Sequence, residues 1–321
     1  LAISSDSDRL DGICFVDQFN GTNTNDCGTT SAPCTTISSC ISQLNTCCTT
    51  DDVSVIIRSN LTAIPGNFNI TLDETLQFSS LTISSRLKLT WDLQHNGFAI
   101  RSTINRTFVL DLTVLNIYHA STSAIQIQEN SALVNVSLNF VSFYACKATE
   151  GAALYANISG KLVLNEVGVF SSSADRCAGL SIYGNNLAHI TVRIGTTLSF
   201  VTTESTTFGG CMCLFLSPTA KFFSRFTPNN LGMISVSSST AGTMGLIYID
   251  GGIVTLSGSY GTKSKSGSAG FLYAVNMNEL VLETGVLQNL DTTGPGGAML
   301  IEKSNSIAIF NFNIQSCITS A

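Results

Sequence analysis

From residue 53 onward the chain is a succession of short apolar, β-branched runs broken by Gly, Ser and Asn, with no helical period running through them. Runs of this kind predict half-buried β-strands separated by turns. In the second half they fall into a repeat. An aromatic residue follows a Gly-apolar step at Tyr155, Tyr183, Phe215, Tyr248 and Tyr273, at intervals of 28, 32, 33 and 25 residues. Gly151, Gly179, Gly210, Gly245 and Gly270 precede the five aromatics, and Gly297 continues the series ahead of Met299. A second apolar run follows each aromatic, as at Leu162-Val163-Leu164 and Ile253-Val254-Thr255.

Periods of this length belong to solenoids, propellers or arrays. A propeller blade needs more strands than these intervals hold, and no leucine-rich consensus is present. Coils of about three short strands fit, and stacking sets equivalent residues ~4.8 Å apart. Weaker candidate coils occupy 68–83, 87–100, 108–117 and 125–143. The expectation is an all-β, right-handed parallel β-helix of roughly ten coils, its hand following from the bias of parallel crossovers. The aromatic series should then form a ladder. A stack in the core, worth ~0.5–1.5 kcal/mol per pair, is expected over a sugar-stacking platform, because small and apolar residues flank each ring.

Before residue 53 the pattern changes. Ile37, Ile41 and Leu44 make one apolar stripe at helical spacing, with Thr35 or Thr36 placed to cap it. The division expected is a Cys-rich N-terminal cap with a short helix over 1–52 and the β-helix over 53–321. Val16, Asp17, Gly21, Cys27, Gly28, Thr29, Pro33, Thr36 and Ile37 stand in the order of a recurring motif. This stretch resembles the N-terminal segment of right-handed parallel β-helix proteins of the pectin-lyase-like superfamily, where it leads through a capping helix into the first coil. The Gly-Ala-apolar steps at Gly151-Ala152-Ala153-Leu154 and Gly296-Gly297-Ala298-Met299 resemble the repeat style of adhesin-type β-helices. The resemblance implies a fold, shared by enzymes, adhesins and coat proteins, and the non-catalytic adhesin or structural type is the one expected.

Cysteine usage sets the compartment. Six of the eleven Cys fall between Cys14 and Cys48: Cys14, Cys27, Cys34, Cys40, Cys47 and Cys48. Their irregular spacing, far from any His, reads as disulfides rather than zinc knuckles. Cys47 and Cys48 are adjacent and are expected to pair elsewhere. Cys146 and Cys177 lie about one coil apart and are expected to bond, with Cys211 or Cys213 as the alternative partner. The odd count leaves at least one Cys unpaired or joined to another chain, and Cys317 is the candidate. Sequons for N-glycosylation stand at Asn20, Asn60, Asn69, Asn105, Asn135 and Asn157, and none follows although eleven Asn do. Disulfides with sequons point to the eukaryotic secretory pathway and a secreted or cell-surface site. The first residue is Leu1, so a mature form or a fragment is expected. No run approaches the ~18 apolar residues of a membrane-spanning helix. Charged residues are only 11%, the formal net charge is −6, and no basic run offers a nucleic-acid surface.

No recognisable catalytic set is present. The only Asp-Asp is Asp51-Asp52, ahead of the first coil, where it reads as a turn. Gly-His-Gly and Arg-Ile-Lys, elements of galacturonan hydrolases on this fold, do not occur. Glu150, Asp175 and Arg176 form the closest acid–base group and read as a solvated ion pair. Glu166 could meet a distant acid through stacking. His95, His119 and His189 sit singly. No cofactor and no metal are expected. The function expected is a structural glycoprotein: a building block of a filament, flagellar hair, wall or surface coat, with copies of itself or related subunits as partners in a polymer. The alternatives are an adhesin or carbohydrate-binding ectodomain and, on fold alone, a polysaccharide lyase or hydrolase.

Overall fold

The computed structural model describes residues 11–62, 69–85, 89–94, 96–129, 133–193, 196–224 and 233–319. The chain is an all-β parallel solenoid of about nine turns, slightly shorter than the ten coils the repeat suggests. His95 and the starts of the candidate coils at 68 and 87 lie outside the described residues.

Successive turns pair in three parallel sheets of fifteen, nine and seven described strands. The register comes from the alternation of apolar and polar positions, since a slip of one residue would turn every core side chain to solvent. One inward column of the first sheet runs Val53, Leu81, Leu110, Val136, Leu162, Ile190, Phe222, Val254, Leu280 and Ile307, each paired with the next. All are buried except Ile307, on the last described turn. Facing it, the second sheet stacks Ile70, Ile100, Ile127, Ala156, Ile182, Leu214, Ile249, Ala274 and Ile301. Each fully buried Leu, Ile or Phe contributes ~1.5–3 kcal/mol of transfer free energy.

The corners also stack. His119, Ala145, Ser171, Thr202, Ser238, Lys263, Asn289 and Ser316 all have φ between 50° and 54°. Seven of them, His119 to Asn289, donate their backbone N–H to a carbonyl of the next turn. This left-handed corner directs the following residue inward. Ala120, Cys146, Ser172, Thr203, Ser239, Ser264 and Leu290 form that column, all buried. Cys317 takes the same place on the last described turn and is half-buried. A second bend lies within the long strands: the pairing register skips Val114 and Phe140, which both have φ 56°, and Glu166 continues the column at φ 51°. Glu166 thus follows Phe140 and Val114 in a bend, not another acid.

The N-terminal segment packs directly on the first turn. Its strand Ile13–Val16 pairs in parallel with Asp52–Ile57 and so covers the first edge. The helix is Ile37–Cys47, capped by Thr36, whose side chain accepts from Ser39 N. It buries Ile37, Cys40, Ile41 and Leu44, the stripe legible in the sequence. The Cys14–Cys40 disulfide ties strand to helix, and Cys27–Cys34 closes the loop between them. The sulfurs of Cys14, Cys34 and Cys40 lie within 4.8 Å of one another because these two bridges touch.

The expected Cys146–Cys177 bond does not form; Cys177 bonds Cys213 instead. Cys146 follows the corner after the first sheet, whereas Cys177 ends the third-sheet edge and precedes the second sheet. One turn is 26 residues there, since Lys147 pairs with Ser173, so a separation of 31 does not stack them. Cys146 sits over Ser172 and remains a buried thiol.

Candidate functional site: the outward ladders

The aromatic series lies on the outer face of the second sheet, not in the core. Leu154, Ala156 and Ile158 alternate inward, so Tyr155 must point out, and each of the five rings is half-buried. Flanking Gly and apolar residues reported the strand, not the direction of the ring. The strip is a zigzag. Tyr183 pairs directly with Phe215, and Tyr248 with Tyr273. Tyr155 instead opposes Ser181, and Tyr248 opposes Cys213, so the series steps sideways by two residues there. Ring geometry follows the register. The opposed pairs lie near parallel, at 14° and 6°, and the stepped pairs tilt by 47° and 48°. Centroids are 4.6–5.7 Å apart, within the range for favourable aromatic pairs. The ring–ring stacking expected is present, on the surface.

Glu150 anchors one end of the strip. Its carboxylate accepts from Tyr183 OH at 2.7 Å, Ser181 Oγ at 2.5 Å and Arg176 Nη2 at 2.6 Å. The Glu150 side chain is only 10% exposed. The solvated pair expected of Glu150 and Arg176 is therefore a nearly buried, fully engaged carboxylate. Asp175 takes no part in it; its backbone carbonyl accepts from Thr206 and Thr207. Burial, then the bond to Glu150, pushes the Tyr183 phenol well above the usual tyrosine range. At the other end Tyr273 OH donates to Glu302 Oε2 at 2.5 Å, and that bond, with burial second, moves it up to about 12.

A second outward ladder stands on the first sheet, where Tyr118, Tyr144 and Phe170 are in register and stack at 4.6 and 5.0 Å. Beside it a cavity of about 530 Å³ is lined by Asp92, Gln94, His119, Ala120, Ser121, Ala145 and Lys147. His119 Nδ1 lies 3.4 Å from Asp92 Oδ1. The sequence left His119 single because its partner is one turn away, across the Asp92–Tyr118 register. Farther along the same sheet Lys161, His189 and Lys221 occupy one outward column on three successive turns. Lys161 and His189, with Asp111, Ser137, Asn139, Val163, Thr191 and Arg193, line an open groove of about 600 Å³. Asp51 and Asp52 are both exposed, Asp51 in a bend and Asp52 as the first residue of the strand Asp52–Ile57.

Four sequon residues, Asn20, Asn60, Asn69 and Asn105, are exposed. Asn60 Oδ1 accepts from Thr90 N, which leaves its Nδ2 as the atom for a glycosidic bond. Asn135 and Asn157 are half-buried on strands. Asn157 opposes Tyr183, and its Oδ1 is buried without a hydrogen bond among the described residues. Burial raises the Cys146 thiol to about 11 and the Cys211 thiol to about 12, so both are held protonated. No helix among the described residues is long and apolar enough to cross a membrane.

Comparison with protein-family models, curated proteins and solved structures returns no match.

Proposed function

We propose that this chain is an extracellular structural glycoprotein, a building block of a filament, flagellar hair, wall or surface coat. The observation that supports this reading is a division of the surface. Sequons occupy the chain only up to Asn157, whereas Tyr183, Phe215, Tyr248 and Tyr273 form a half-exposed strip on turns that carry none. A glycan is too bulky for a packed interface, and aromatic residues are enriched at interfaces. The sugar-bearing half faces solvent in this reading, and the second half meets neighbouring subunits. The motif through Gly21, Cys27 and Ile37 supports reading the chain as a non-catalytic relative of pectin-lyase-like β-helices, made in the eukaryotic secretory pathway. Cross-linking of native material tests the assignment. Intermolecular links should concentrate on second-half lysines such as Lys263, Lys265 and Lys303; links confined to single chains would refute it.

A second reading, a carbohydrate-binding ectodomain, is favoured by the open groove with Lys161, His189 and Arg193. It is the second reading because the stacked aromatic rings turn their faces to each other, not to a ligand. Glycan-array binding that falls at least tenfold in Lys161→Ala/Arg193→Ala would support it.

A further inference from the structure

The sequence pairs Cys47 and Cys48 with other cysteines, and the structure bonds neither to another cysteine. Cys47 is the last residue of the helix and Cys48 its C-cap, with Cys48 N–H donating to Leu44 O at 3.3 Å. Their Sγ atoms stand 2.9 Å apart. Non-bonded contacts are most favourable at about 3.5–4.0 Å even between carbon atoms, and sulfur is larger. Two unbonded sulfurs at this separation repel; a covalent bond of about 2.05 Å removes the repulsion. Cys14, Cys27, Cys34 and Cys40 are already bonded to one another, and Cys146 and Cys211 are buried far along the solenoid.

We propose that Cys47 and Cys48 form a vicinal disulfide, a covalent modification that closes the helix terminus where it hands the chain to the first turn. Access favours it, since Cys47 is exposed and Cys48 half-buried. The bond forms by thiol–disulfide exchange with a small-molecule disulfide or an oxidised dithiol oxidoreductase. The Cys47 thiolate attacks the carrier's disulfide, giving a mixed disulfide and one carrier thiol. The Cys48 thiolate then attacks the Cys47 sulfur and releases the second carrier thiol. The two cysteines lose two protons and two electrons, and the carrier gains them.

The test is peptide mapping of the native protein, denatured in alkylating agent without reductant and cleaved after Leu44 and before Asp51. The expected peptide carries no alkyl group, is lighter than the dithiol by two hydrogens, and takes two alkyl groups after reduction. Recovery with either cysteine alkylated before reduction, or bridged to another peptide, overturns the proposal. Folded variants give an independent reading. Cys48→Ser should expose one more titratable thiol than wild type, and Cys47→Ser/Cys48→Ser should expose no more than wild type. A Cys48→Ser variant with one thiol fewer than wild type would also overturn it.

Discussion

Gly209 leaves the space that the Cys213 sulfur occupies: a Cβ at Gly209 would overlap Cys213 Sγ, the atom bonded to Cys177. Gly209 also has φ +64°, a conformation costing other residues roughly 1–2 kcal/mol. Gly209→Ala therefore faces strain and collision together. The bridge spans 36 residues, and a loop of that size is worth about 3–4 kcal/mol. The variant should lose several degrees of thermal stability and show raised reactivity at Cys177 and Cys213. Wild-type melting with an intact bridge would count against this.

How the sequence encoded these features differs from one to the next. The helix stripe and its Thr36 cap depend on local spacing, and the structure has them where the spacing puts them. Cys177–Cys213, Asp92–His119 and Glu150–Tyr183 depend on inter-turn register, which from Val53 onward varies between 25 residues, at Tyr248–Tyr273, and 36, at Leu198–Ile234. An average interval paired Cys146 with Cys177 and set the aromatics in one column. Residue-level alternation around Tyr155 was the signal that could have shown the rings pointing outward.

Glu150→Gln removes the charge that holds Tyr183 in its protonated form while keeping a group able to accept its hydroxyl. The Tyr183 phenol should titrate at lower pH, read from tyrosinate absorbance, because a negative neighbour raises a phenol's pKa. Arg176 also loses its partner, so stability should fall by about 1–3 kcal/mol. An unchanged titration curve would mean that Glu150 does not govern Tyr183.

Alkaline stability should depend on Cys211. Its thiol titrates near 9 when unfolded and at about 12 in the fold. The folded state keeps the proton over that window, so the contribution is present below pH 9 and lost as pH rises toward 12. In urea unfolding, the difference between wild type and Cys211→Ala should narrow by about 2 kcal/mol on going to about pH 10.5. Parallel pH profiles for the two proteins would contradict the assignment.

Glycopeptide mass spectrometry should find Asn20, Asn60, Asn69 and Asn105 occupied and Asn157 the least so. Asn157 lies beneath the Tyr183 ladder with a buried Oδ1, so a sugar there competes with packing. Bare Asn60 and Asn105 would remove the division of surfaces on which the structural reading rests.

The most direct measurement of that reading is negative-stain electron microscopy of the intact natural protein, released without reductant. The account predicts polymers in which second-half surfaces are buried between subunits, with glycans decorating the exposed half. The final described turn, with Ile307, Phe310 and Ile318 exposed at 46%, 53% and 62%, is covered in such material. A field of dispersed single rods, unchanged at high concentration, would contradict it.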